Sequence, residues 1–213
     1  MHLLIVAKQP VPGRAKTRLI PAYGPAGAAA LAAAALADTF AAARDSRADR
    51  VVVSFDGDPT GLVPTDFEVV PQPPGDLAQR LAGAWADAGP GPGVQIGMDT
   101  PHLSGADLDD AFDALDRPGI DAVLGPATDG GWWAIGFRQV PDGVFAGIAT
   151  SRSDTGARQL ARLRSLGLAT TVLRTTGDVD HPEDVAVAAA LAPASRFARL
   201  AASLAMADSA VAR

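Results

Sequence analysis

The sequence predicts a single α/β domain built on a mostly parallel central sheet flanked by helices. Two observations carry this. Short apolar runs alternate with helix-patterned segments along most of the 213 residues, the order expected of parallel strands joined by crossover helices. Several of those runs are apolar without alternation, as strands covered on both faces should be.

The strand candidates in chain order are HLLIVA (2–7), RVVVSF (50–55), FEVVP (67–71), GVQIGM (93–98), DAVLGPA (121–127), WWAIGF (132–137) and ATTVLRT (169–175). Helices are predicted over 25–44, 76–88, 104–116, 153–166 and 182–191. In the second of these, Leu77, Leu81 and Trp85 recur at i, i+4 and i+8, one face of a helix. The domain is expected to span 1–192. The Ala-rich tail 193–213, with Phe197, Leu200 and Leu204 at helical spacing, packs back on it or against a second subunit of a homodimer. Parallel strands gather their carboxyl ends at one edge, so the loops after strands are where ligand chemistry is expected.

Composition narrows the function classes. A hydrophobic content of 48% with 20% charged residues fits a soluble globular chain. The net charge of −6 argues against nucleic-acid binding, which needs a basic face. With no cysteine there is no thiolate chemistry, disulfide framework or Cys-based zinc site. Three histidines, His2, His102 and His181, make a His-rich metal site an unpromising reading, while a hard cation on carboxylates stays open. HLLIVA lacks the basic start of a signal peptide, and the Ala-rich run 26–43 carries Asp38 and is only weakly apolar. A cytoplasmic protein without a membrane span is expected.

The only two lysines, Lys8 and Lys16, lie in one Gly/Pro-punctuated stretch, AKQPVPGRAKTRL (7–19), although the chain writes its other 16 basic residues as arginine. The stretch follows the first strand, the usual place of a phosphate loop in such sheets. Gly13 allows close backbone approach, and Arg14, Lys16 and Arg18 present three cations suited to phosphate oxygens. GRAKT resembles the end of a P-loop, but Pro10 stands where its first glycine would be, so this is not a Walker A motif. The alternative is a solvated basic loop. Lys16 is expected to contact phosphate and, as a surface charge, to matter little for stability. Lys8 is expected to pair with a carboxylate across the sheet edge.

GMDTPHL places Asp99 at the end of a buried strand, suited to Mg²⁺ or Mn²⁺ bridging phosphates; a turn or helix cap is the alternative. TGDVDHPEDV places Asp178 and Asp180 after another strand, with Asp180-x-x-Glu183 in the form of a helix cap that can coexist with metal ligation. The literal D-x-D at 56–58 runs into PTGL and reads as a surface turn. ATDGGWWAIGF puts Gly130 and Gly131 where a ligand can approach closely, or where a plain turn is made. Trp132 and Trp133 must face opposite sides of a strand, so at most one meets a ligand.

Four segments, AKQPVPGRAKTRL, GMDTPHL, DGGWWAIGF and DVDHPEDV, together with the weaker QPPGDLAQRL (72–81), resemble a bacterial GT-A-type glycosyltransferase family named for rSAM/selenodomain association or arsenosugar biosynthesis. More distantly they are similar to molybdenum-cofactor and phospholactate guanylyltransferases. The resemblance implies a nucleotide-diphospho-sugar transferase fold, a nucleotide-sugar donor, a divalent metal and a small-molecule acceptor. It implies Asp99 and Asp180 as metal ligands, and Asp99, Lys16 and Asp129 as catalytic residues. Nucleotide binding would fall to Lys8, Gly13, Arg14, Lys16, Arg18, Gln72, Gly75, Asp76 and Arg80. The acceptor side would be Asp129, Gly130, Gly131 and Trp132. His181, where the family more often has a small hydroxyl residue, and the segment 147–160, without the family's Trp-containing motif, depart from the pattern and bear on the acceptor. The expected function is a metal-dependent transferase using a nucleoside diphosphate sugar. The alternatives are a nucleotidyltransferase acting on a small phosphorylated acceptor and a nucleotide-binding protein without catalysis.

Overall fold

The computed structural model describes residues 1–149 and 152–211, with side chains through residue 206 of the last helix. The elements run β1 (His2–Lys8), α1 (Ile20–Arg44), β2 (Arg50–Asp56), β3 (Glu68–Pro71), α2 (Leu77–Ala88), β4 (Gly93–Ile96), α3 (Gly105–Asp116), β5 (Ala122–Pro126), β6 (Trp132–Phe137), α4 (Thr155–Ser165), β7 (Thr170–Val172), α5 (Pro182–Leu191) and α6 (Arg196–Val211). The seven strands form one sheet in the order β3-β2-β1-β4-β6-β5-β7. All pair parallel except β6, which is antiparallel to both β4 and β5.

Each face of the sheet buries its own apolar layer. On one, Leu3, Ile5, Val53 and Ile96 meet Phe40 of α1 and Leu108, Phe112 and Leu115 of α3. On the other, Leu4, Val52, Ile135 and Phe137 meet Leu81 and Trp85 of α2 and Leu163 of α4. Burial on both sides is why the strands read as continuous apolar runs. Trp85 also donates from Nε1 to Gln95 Oε1 at 2.7 Å, satisfying the one polar side chain that β4 buries.

The Ala-rich helix α1 is broken at Gly24 (φ 66°, ψ 168°), and Pro25 opens its longer part, where the sequence places the helix start. The stretch Thr17–Arg44 is long and apolar enough to cross a membrane by length and composition, yet 61% of its most apolar window is buried within the fold. Small alanines let α1 lie close to α6: Ala28, Leu31 and Ala35 pack with Phe197 and Ala201, and with Val185 and Ala188 of α5. Asp38, 8% exposed, accepts hydrogen bonds from the backbone N–H groups of Arg196 (3.0 Å) and Phe197 (2.8 Å). It caps α6 from a neighbouring helix. Asp38→Ala strands both donors, and the expected cost is about 1–3 kcal/mol. Hydrogen exchange should then show α6 losing protection before the sheet does; uniform protection in the variant would mean the cap contributes nothing.

Candidate functional site

The carboxyl ends of β1, β4, β5 and β7 meet at one sheet edge, where the order turns from β2-β1 to β4. Four loops leave from there, and they are stitched together. Val179 N–H donates to Asp99 O at 2.9 Å, Thr128 N–H to Thr176 O at 3.0 Å, and His102 Nε2 lies 2.7 Å from Thr176 Oγ1. The loop after β7 is thereby held beside the loop after β4, and Asp99 comes next to Asp180, 81 positions later in the chain.

Lys16 stands between them. Its Nζ is 3.0 Å from Asp99 Oδ1 and 3.3 Å from Asp180 Oδ1, and its side chain is 8% exposed. Burial opposes the charge on this ammonium, but Asp99 and Asp180, with Asp178 behind them, outweigh burial and raise its pKa above the ordinary value. Arg18 pairs with the other oxygen of Asp180. The expectation that Lys16 is a solvated charge of little consequence for folding is therefore corrected: it is buried and paired on two sides, because the β7–α5 connection folds over it.

The helix-cap reading of Asp180 is also corrected. Asp184, one turn inside α5, accepts from Asp180 N–H (2.9 Å) and His181 N–H (2.6 Å) and caps the helix from within. This frees the Asp180 carboxylate to face Lys16 and Arg18. Asp99 is not a cap either, since α3 is capped by Ser104, whose Oγ accepts from Asp107 N–H at 3.3 Å. Lys8 is exposed and makes no ion pair among the described residues, contrary to the pairing expected for it.

The remaining nucleotide-side candidates have local roles of their own. Gly13 has φ 78° and nothing within 4 Å of where a Cβ would stand, and Arg14 beside it is exposed. Asp76 and Gln79 form a reciprocal cap at the start of α2, with both bonds at 2.9 Å. Gly75 has φ 118°, and a Cβ there would lie 2.3 Å from Gln79 Oε1, so the glycine is needed for that cap. Gln72 Oε1 is buried without a hydrogen-bond partner among the described residues, and Arg80 lies 3.8 Å from Asp56. The D-x-D at 56–58 makes a turn in which Asp58 Oδ1 accepts from Thr60 N–H at 2.9 Å.

A cavity of about 300 Å³ opens between Asp99 and the start of α4, with Asp129, Gly131, Trp132, Arg152 and Gln159 in its wall. Trp132 faces this space, whereas Trp133 is buried on the opposite side and donates from Nε1 to Arg174 O at 2.9 Å. Gly130 does not leave room for a ligand. A Cβ on it would lie 2.0 Å from Ser153 O, so the close approach there is made by the chain entering α4. Of the departing segment 147–160, residues 150 and 151 lie outside the described residues. A larger cavity, about 730 Å³, lies between α2 and residues 138–146 and includes none of the residues around Lys16.

Asp178, which sequence reasoning noted but gave no role, belongs to the cluster. Burial and the charge of Asp129 push its carboxyl up to about 6, against the pull of Lys16. Its folded-state value thus lies above the unfolded one, near 3.9. Between those values the folded protein holds a proton that the unfolded chain has lost, so stability falls as pH rises from about 4 through about 6. Asp178→Asn cannot ionise. With a chelator present it should exceed wild type by about 1–2 kcal/mol at pH 7.5, after allowance for solvent screening, and by nothing near pH 4. Urea unfolding at the two pH values checks this, and a pH-independent difference would refute the assignment.

His102 and Thr176 were also missed. Their contact holds the loop that carries Asp178 and Asp180; His102 lies in GMDTPHL, and Thr176 is the first residue of TGDVDHPEDV.

Comparison with solved structures places the fold among nucleotide-handling transferases. A candidate nucleotide-diphospho-sugar transferase from Desulfovibrio desulfuricans is 28% identical, with a TM-score of 0.77 over 84% of this chain and 82% of that one. A CMP:2-keto-3-deoxy-manno-octonic acid synthetase complexed with CTP is 10% identical, with a TM-score of 0.60 over 90% and 98%. The Mycobacterium tuberculosis protein Rv0371c complexed with manganese is 21% identical, with a TM-score of 0.54 over 88% and 97%. The last two show the fold alone. No curated protein matches the chain. The family match covers residues 24–152, more than half of the sequence, and takes in Gln72–Arg80, Asp99 and the 129–132 turn, while the basic loop and Asp180 lie outside it. On that match the chain belongs to DUF2064, a family described as uncharacterized proteins conserved in bacteria.

Proposed function

We propose that this chain is a metal-dependent transferase that uses a nucleoside diphosphate sugar. The observation that carries the reading is the convergence of Asp99, Asp180 and Lys16, from three different loops, at the carboxyl edge of a parallel sheet. Two carboxylates share one cationic partner there. Among the described residues no set of three or more acidic or histidine side chains is arranged to hold a metal. Two carboxylates suit a hard cation that takes its remaining ligands from phosphates and water, as Mg²⁺ does. Asp99 and Asp180 would hold such an ion, and when bound it supplies charge stabilisation at the departing diphosphate.

The chain's own residues have distinct tasks in this reading. Arg14, Lys16 and Arg18 bind phosphate oxygens, Lys16 as a compact charge and the arginines as planar forks. Gln72–Arg80 lines the nucleotide. The cavity beside Trp132 and Asp129 receives a small acceptor and excludes water from the transferred group. The two protein neighbours described as a candidate sugar transferase and as holding manganese support the donor class and the metal as proposals.

A melting-temperature panel of nucleotides and nucleotide sugars, with and without Mg²⁺ or Mn²⁺, identifies the donor. A ligand at 100 times its dissociation constant stabilises by about 2.7 kcal/mol. Incubating that donor with candidate acceptors should then release a free nucleoside diphosphate. Pyrophosphate released from a nucleoside triphosphate would instead assign nucleotidyl transfer, and binding without turnover of any donor would leave a binding protein.

A further inference from the structure

Lys16 occupies the point toward which the two carboxylates of the proposed metal site converge. Its ammonium lies 3.0 Å from Asp99 and 3.3 Å from Asp180, inside a nearly closed environment. Its backbone is left-handed, φ 46° and ψ 50°, and it is the one residue other than glycine with positive φ among the described residues. A side-chain-bearing residue holds that conformation only where its surroundings impose it. Here the backbone bond from Leu19 N–H to Lys16 O (2.8 Å) and the two ion pairs do so.

We infer that Lys16 is a displaceable internal cation. It fills the Asp99/Asp180 site until phosphate draws it away, so that a divalent ion is taken up as its complex with a nucleotide and only weakly by itself. This rests on the transferase reading above. A bare divalent ion entering while Lys16 stays in place sets two cations side by side. A metal–nucleotide complex presents a cation to the carboxylates and an anion to the ammonium at the same time. Lysine suits the exchange, because a point charge on a flexible four-carbon stem can swing from carboxylate to phosphate. By linkage, whatever draws Lys16 off Asp99 strengthens metal binding, and metal on Asp99 strengthens phosphate binding by the same factor.

The test uses Mn²⁺ alone, followed by the loss of the free-ion paramagnetic resonance signal. Without nucleotide, Lys16→Met should bind Mn²⁺ at least about tenfold more tightly than wild type, within the usual range of coupling between sites. Arg18→Met removes a charge from the same Asp180 but leaves the ammonium in place, and should gain less than about threefold. Lys16→Arg, with the charge kept, should not gain. Lys16→Gln serves the same purpose if the methionine variant fails to fold. A Lys16→Met protein that binds Mn²⁺ no better than wild type overturns the inference. Equal gains in the Lys16 and Arg18 variants also overturn it, because general electrostatics then suffices. Failure of the transferase reading looks different: no nucleoside diphosphate raises the wild-type melting temperature, with or without Mn²⁺, whatever the variants do with the bare ion.

Discussion

Asp99→Asn is expected to lower turnover by about 10²–10³-fold, the scale set by removing one fixed charge-stabilising group from a reaction centre. The variant should remain folded. Asp99 is 40% exposed, and without its charge Lys16 still has Asp180 beside it, while one negative charge is gone from an acidic cluster. Asp56→Asn is the matched comparison. It alters the literal D-x-D, whose first carboxylate is 62% exposed and 3.8 Å from Arg80, and should leave turnover within about twofold, as exposed pairs contribute little. Initial rates at saturating metal, with melting curves for both variants, decide the matter. An Asp99→Asn protein that keeps a third of the wild-type rate would remove Asp99 from the reaction, and equal losses in the two variants would shift attention to the 56–58 turn.

What the sequence disclosed and what it hid divide along the range of the interactions involved. Strands and helices depend on local pattern, and every predicted element is present, down to the start of the long part of α1 at Pro25. The antiparallel β6 was open to deduction. The predicted strands at 121–127 and 132–137 leave too short a gap for a parallel crossover, which needs a dozen or more residues. The place of Asp99 at the sheet edge was legible because the end of a strand is a local signal, reinforced by Pro101. The surroundings of Lys16 were hidden because they depend on Asp180, 164 residues away, and on the cap supplied by Asp184. A cap written Asp180-x-x-Glu183 and one made by Asp184 look equally good in sequence, and only the observed hydrogen bonds choose between them. Gly75 was assigned to nucleotide binding only through the resemblance and serves the Asp76–Gln79 cap, whereas Gly130 was read as room for a ligand or a plain turn, and the chain entering α4 fills that room.

Gly130→Ala makes that last distinction measurable. If the glycine exists to admit a ligand, alanine should leave stability intact and impair acceptor binding alone. The geometry argues for the opposite ordering. Gly130 has φ 89°, where an L residue costs about 1–2 kcal/mol, and its Cβ would sit 2.0 Å from the backbone oxygen of Ser153, which no rotamer can relieve. The hairpin tip must therefore lift off the start of α4, which breaks the 2.7 Å bond from Gly156 N–H to Gly130 O. Adding about 1 kcal/mol for that bond, the expected loss is about 2–3 kcal/mol by urea unfolding. Gly131→Ala is the control, because its Cβ would meet only the Asp129 carboxylate, at 3.0 Å, and that side chain can turn. Gly156→Ala strains the same contact from the other side, with a Cβ 2.3 Å from Gly131 O. Once either substitution has parted the two segments, the second has less left to disturb, so the double variant should lose less than the sum of the single losses. Strict additivity would mean that the tip and the helix entry yield independently, and an unchanged Gly130→Ala stability would return the position to the ligand.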